Sequence, residues 1–110
     1  MKLTKREAQI ADRMRALGVY KPEFDTAIRR YRIMLDEYRT LAGKYRKDGY
    51  PYESVGSQGA KKAPIVIALE GLRRDLLALE DALGLNPRGL KKLQEEPFKA
   101  ERKRKTDGLI

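Results

Sequence analysis

Two apolar stripes of similar length, separated by a short segment containing glycine and proline, constrain this chain more than any other feature. The first reads Phe24, Ile28, Tyr31, Leu35, Tyr38, Ala42 and Tyr45 in alternating steps of four and three, with Ala27, Met34 and Leu41 in a flanking row. The second reads Ile65, Leu69, Leu72, Leu76, Leu79 and Leu83 with the same steps. Such spacing stacks apolar side chains on one side of an α-helix. Pro22 with Glu23 and Asp25 marks a start, and Gly49 with Pro51 a stop. The first stripe therefore predicts a helix over about 22–48, roughly 40 Å long. Pro64 opens a second long helix over about 63–83, which Gly84 and Leu85 close. Gly49 to Ala60, with its glycines and serines, is read as a loop whose Tyr50 and Tyr52 fold back on the domain. Two matched helices joined by one loop form an antiparallel helical hairpin.

Shorter elements flank it. Thr4-Lys5-Arg6-Glu7 has the form of a capping box and predicts a helix over about 4–17 carrying Ile10, Met14 and Leu17, closed by Gly18 and Val19. Asn86-Pro87 opens a short helix over about 87–95 through Leu90 and Leu93, and Pro97 breaks it. From Lys99 to Lys105 five of seven residues are basic, so residues 98–110 are expected to be a mobile basic tail. The expected fold is thus all-α: one helical domain over 1–97, built on the long hairpin with a short helix at each end, and then the tail.

The hairpin leaves apolar side chains over. Ile33 and Met34 lie beside the first stripe, and Ile67 and Leu77 beside or outside the second. A chain of 110 residues buries only about two-thirds of its unfolded surface, so such remainders point to self-association. Tyr31, Ile33, Met34, Tyr38, Ile67 and Leu77 are the expected oligomer interface. Gly71 in mid-helix is read either as a close helix crossing or as a tolerated glycine costing about 1 kcal/mol.

Lys and Arg number 25 against 16 Asp and Glu, a formal charge of +9. The excess lies in residues 1–50 and 86–110, while the segment between is near neutral. At this size it points to a polyanionic partner. Lys5, Arg6 and Arg13 of the first helix, with Lys99, Arg102, Lys103, Arg104 and Lys105 of the tail, are the expected nucleic-acid contacts. A second edge competes with them: Arg32, Arg39 and Arg46 run beside Tyr31, Tyr38 and Tyr45. That edge reads either as a basic aromatic surface for phosphates or a neighbour's carboxylates, or as core tyrosines behind a solvated arginine rim.

The absence of Cys and His removes thiol catalysis, disulfides, structural zinc and imidazole acid–base chemistry. The acid pairs Asp36-Glu37, Glu80-Asp81 and Glu95-Glu96 are sequence neighbours and diverge around a helix, which is wrong for a shared metal. Gly56-Ser-Gln-Gly59 before Lys61-Lys62 lacks the Gly-Lys-Ser/Thr order of a phosphate loop, which leaves only weak anion contact at Lys61 and Lys62. No catalytic, cofactor or metal site is expected, and no small-molecule substrate. The longest apolar run, Ala63 to Leu69, is far too short for a membrane span, and the N-terminus leads into Glu7, Asp12 and Arg13. The expectation is a soluble protein of a reducing compartment.

Leu17-Gly-Val-Tyr20-Lys-Pro-Glu-Phe-Asp25, then Asp48-Gly-Tyr-Pro-Tyr-Glu53, then Lys61-Lys-Ala-Pro-Ile65 leading into Leu69-Glu-Gly-Leu-Arg-Arg-Asp-Leu76 and Leu83-Gly-Leu-Asn-Pro87, resembles the small-subunit family of phage DNA-packaging terminases. The likeness covers about residues 14–93, and its most specific parts are the Lys-Lys-x-Pro-Ile start and the Leu-Gly-Leu-Asn-Pro stop. It implies a non-catalytic protein of the infected bacterial cytoplasm that forms a ring-like homo-oligomer. Its implied partners are double-stranded viral DNA and a large subunit carrying ATPase and nuclease. Many small terminases carry an N-terminal helix-turn-helix domain, whereas about twenty residues precede the long helix here. The residues alone also fit a helical nucleic-acid-binding regulator or a protein-interaction hairpin.

Overall fold

A computed structural model describes residues 1–56 and 59–95. Helix α1 spans Lys5–Ala16, α2 Asp25–Lys47 and α3 Pro64–Leu83, and residues 87–95 form a fourth helical segment, α4. Local chemistry sets each boundary. The Thr4 hydroxyl accepts from the Glu7 amide at 3.3 Å, and the Glu7 carboxylate accepts from the Thr4 amide at 2.9 Å, completing the capping box. Lys21 is extended and Pro22–Phe24 forms a 3-10 turn, so α2 proper begins at Asp25. Asn86 caps α4, its side-chain oxygen accepting from the Gly89 amide at 2.7 Å.

The helix stops share one geometry. Gly18, Gly49 and Gly84 are left-handed, and the residue after each returns its amide to a carbonyl five residues back: Val19 to Met14, Tyr50 to Tyr45 and Leu85 to Glu80. At Gly84 (φ 68) a side chain would also meet Leu93 of α4 at 2.9 Å. Tyr50 is itself left-handed (φ 59), and its ring stands edge-on to Tyr45 with centroids 5.5 Å apart.

The expected loop and the all-α class are corrected by a two-stranded ribbon. Strand β1 (Glu53–Gly56) pairs antiparallel with β2 (Gly59–Lys62) in the register Glu53↔Lys62, Ser54↔Lys61, Val55↔Ala60, Gly56↔Gly59. Ala63 donates to the Tyr52 carbonyl at 2.8 Å and extends the ladder. The eight strand residues include one β-branched side chain and no apolar alternation, so backbone pairing alone makes the ribbon.

The core sits at one end of the molecule. Ala11 and Met14 of α1, Val19, Ile28 of α2 and Leu83 of α3 are buried together, ringed by Leu17, Phe24, Tyr31, Leu90 and Leu93. Gly89 locks α4 against α3, since a Cβ there would lie 2.1 Å from the Asp81 carbonyl oxygen. Beyond this core α2 and α3 continue as a two-helix arm sealed by Val66, Leu69 and Leu76 of α3, with the ribbon joining their far ends. The body measures 69 × 34 × 23 Å, with a radius of gyration of 19.6 Å. A compact domain of about 100 residues would have about 13 Å. The expected tail, with Lys99, Arg102, Lys103, Arg104 and Lys105, lies outside the described residues.

Candidate nucleic-acid interface

One buried acid of α1 positions two arginines of α2. Glu7 is fully buried on the face of α1 that meets α2. Its carboxylate accepts from Arg29 at 3.0 Å and from Arg32 at 2.9 Å, besides the Thr4 amide. These donors satisfy an otherwise costly buried charge. The Arg29 hydrogen bond, then the Thr4 amide, hold the Glu7 carboxyl at a pKa of about 2 against an opposing desolvation by burial, with Arg32 adding to the lowering. Arg32 continues to Asp36 at 3.3 Å, and Asp36 accepts from Arg6 of α1 at 2.8 Å. Arg6, followed by Arg32, holds the Asp36 carboxyl below its usual range.

This lacing opens a groove of about 300 Å³ between α1 and α2. Arg6 and Arg13 of α1 and Arg32 and Arg39 of α2 line it above a floor that includes Ile10, Leu35 and Leu85. Two residues from each of the alternative basic sets, Arg6 and Arg13 from one and Arg32 and Arg39 from the other, therefore line one groove. Within it the arginines are not equivalent. Arg6 is engaged by Asp36, and Arg32 by Asp36 and by Glu7, which it shares with Arg29. Arg13 reaches only the Leu85 carbonyl, at 3.5 Å, and Arg39 has no acidic partner among the described residues. Both act electrostatically on the nearby Tyr31 hydroxyl, easing a pKa that burial, then the Glu80 hydrogen bond, raises. Arg46 follows Arg39 by seven residues, about 10 Å along α2 on the same side. Lys5 is exposed on α1, without an acidic partner among the described residues.

The residues expected at an oligomer interface separate into two groups. The Tyr31 hydroxyl donates to Glu80 at 3.0 Å, and Arg73 donates to the Tyr38 hydroxyl at 2.9 Å with its guanidinium 5.6 Å from the ring centre. Both tyrosines thus engage α3 within the hairpin. Ile33, Ile67 and Leu77 are exposed, at 41%, 57% and 56%, and Met34 is half-buried. Ile33 lies two residues, about 200° of helix rotation, from Tyr31. With Met34 and Met1 it lines a shallow hollow on the side of α2 turned away from the seam.

In the sequence Glu7 is legible only as a capping residue, and nothing singles out Gly89. A glutamate at the third position of a capping box carries no sign of arginines 22 and 25 residues away. Among the described residues no group of acids could hold a metal ion, and no helix is long and apolar enough to cross a membrane.

Comparison with curated proteins and with solved structures returned no significant match. The family described as phage terminase, small subunit, matches over residues 8–100, a span that includes α2, the ribbon, α3 and α4. By that match over most of its length, the chain belongs to the phage terminase small-subunit family, which serves DNA packaging.

Proposed function

We propose that this protein is the non-catalytic DNA-binding adaptor of a packaging terminase, a homo-oligomer that binds double-stranded viral DNA and recruits the large ATPase/nuclease subunit. The observation that carries the reading is the arginine groove, where Arg13 and Arg39 stand without an acidic partner among the described residues. A duplex lying along α2 would meet Arg13, Arg39 and Arg46 in turn, with Arg6 and Lys5 at the α1 end. Arg6 and Arg32 also shape the groove, because Asp36 and Glu7 hold their guanidinium groups in place. Lys99, Arg102, Lys103, Arg104 and Lys105 add sequence-independent attraction.

Self-association follows from two apolar surfaces on different sides of the arm. Ile33 and Met34 sit beside Glu37 on α2, whereas Ile67 and Leu77 share the exposed side of α3 with Arg74. Contact between the α2 surface of one copy and the α3 surface of the next would cover both sets of apolar side chains. Such a head-to-tail contact closes into a ring when its rotation permits.

The test is DNA affinity as a function of salt. Arg13→Ala with Arg39→Ala should weaken binding to all sequences and flatten the log–log salt slope by about two counterions. An unchanged slope would remove the groove from the DNA contact. Capture of the large subunit by the purified oligomer separates this reading from a stand-alone regulator, which would bind DNA and no such partner.

A further inference from the structure

Two features of the sequence meet at the far end of the arm: the tyrosines of Tyr50-Pro51-Tyr52, and the lysines Lys61 and Lys62. Neither tyrosine is buried by the fold. Tyr50 is 60% exposed and Tyr52 55%, whereas every other aromatic ring among the described residues is half-buried. Tyr31 and Tyr38 engage α3 through their hydroxyls, but Tyr50 gains only its edge contact with Tyr45. It does so from a left-handed backbone (φ 59), where glycine or asparagine is at ease and a bulky ring is not. Pro51 between the two rings has a fixed φ, so engaging both rings at once costs little chain freedom. Packing within the fold accounts for neither ring.

The same end is basic. Residues 44–62 hold Lys44, Arg46, Lys47, Lys61 and Lys62 against Asp48 and Glu53. Among the described residues only Lys62 of these five has an acid within ion-pair distance, Glu70 at 3.1 Å, and it stands 5.9 Å from the centre of the Tyr52 ring. Lys61 lies opposite Ser54 in the ribbon register, on the other face from Glu53. Arg46 joins this end to Arg39 and Arg13 along α2. Positive charge around exposed rings suits bases joined by phosphates. In a duplex the flat faces of the bases are covered by their neighbours in the stack, so exposed rings find such faces only on an unpaired strand.

We propose that the far end of the arm binds single-stranded nucleic acid, with bases stacked on Tyr50 and Tyr52 and phosphates held by Lys47 and Lys61. This surface lies beyond the arginine groove, takes a different form of nucleic acid, and stands whether or not a duplex follows α2.

Tyr50→Asn removes one ring and leaves a residue that tolerates the left-handed backbone, and Tyr52→Ala removes the other. Both positions are exposed, so the fold should survive the double change. Fluorescence anisotropy of the full chain is read with a labelled single strand of about twelve nucleotides and with the same strand annealed to its complement. The double variant should bind the single strand at least about tenfold more weakly and the duplex within about twofold of the wild type, both at unchanged salt slopes because no charge is lost. Tyr50→Phe with Tyr52→Phe keeps the rings and should keep the single-strand affinity. A wild type that leaves the single strand unbound would overturn the proposal, as would undiminished single-strand affinity in the double variant or a loss in the phenylalanine pair. Equal loss on both probes would overturn it too, since stacking on free base faces requires an unpaired strand. A fall in the double variant's mass by light scattering would place the rings between subunits instead. Normal binding of both probes with failed capture of the large subunit would make the surface a protein-docking site. Single-strand binding that meets every expectation while the duplex goes unbound would remove the groove reading alone.

Discussion

Glu7 is the residue on which the docking of α1 depends. Its carboxylate is fully buried, and its donors come from three places: Thr4, Arg29 and Arg32. Glu7→Gln keeps the size but removes the charge those guanidinium groups need, and should cost about 3 kcal/mol in urea denaturation at neutral pH. The pH dependence has a definite sign. The folded pKa of about 2 lies below the ordinary value of 4.5, so the stabilisation is complete above pH 4.5. It is lost as the pH falls from there toward 2, and Glu7→Gln should unfold with a shallower acid limb over that window. Gly89 makes an independent demand of shape. Gly89→Ala places a methyl group against the Asp81 backbone, so α4 must separate from α3 at a cost of at least about 2 kcal/mol, read as a lowered thermal midpoint.

Among the elements, α3 shows most sharply how adjacent residues take different roles. Leu76 is 7% exposed in the seam with α2, while Leu77, about 100° around the helix, is 56% exposed. Leu76→Asp puts a charge into the seam and should cost about 3–5 kcal/mol, visible as loss of helical circular dichroism on mild heating. Leu77→Asp should change the stability of the fold by less than about 0.5 kcal/mol. It should nevertheless lower the mass seen by light scattering, as should a charge at Ile33. Equal behaviour of the two α3 variants in both measurements would argue against an interface at Leu77. The thin arm explains why the contrast should be clean: Ile28 is the only buried residue of α2, so little else holds the outer part of the hairpin.

At the scale of the molecule, a body 69 Å long with its core at one end carries its chemistry on surfaces. With its +9 charge, the proposed DNA binding should depend steeply on salt. Truncation after Pro97 removes the five basic residues between Lys99 and Lys105 and leaves every element described above in place. The truncated protein should keep its oligomeric mass and nearly its thermal midpoint, while its binding to DNA or to the large subunit falls. Loss of the oligomer on truncation would assign the tail a structural part.

Helix boundaries were legible in the sequence because their causes are local. A capping box at Thr4, prolines at 22, 64 and 87, and glycines at 18, 49 and 84 act within a few residues of themselves. The alternating stripes likewise placed α2 against α3, since helical periodicity fixes which side chains share a face. Three features required the tertiary structure. The ribbon forms from backbone pairing between strands that no hydrophobic pattern announces. The tyrosine hydroxyls find Glu80 and Arg73 across the seam, which stripe spacing does not reveal. Most consequentially, the arginines of α1 and α2 look alike in sequence, yet folding pairs Arg6 and Arg32 with Asp36 and Glu7 and leaves Arg13 and Arg39 without an acidic partner among the described residues. A side chain's charge is written in the chain. Whether that charge remains available to a ligand depends on which acids the fold carries to within about 3 Å of it, and in Arg32 that acid comes from 25 residues away.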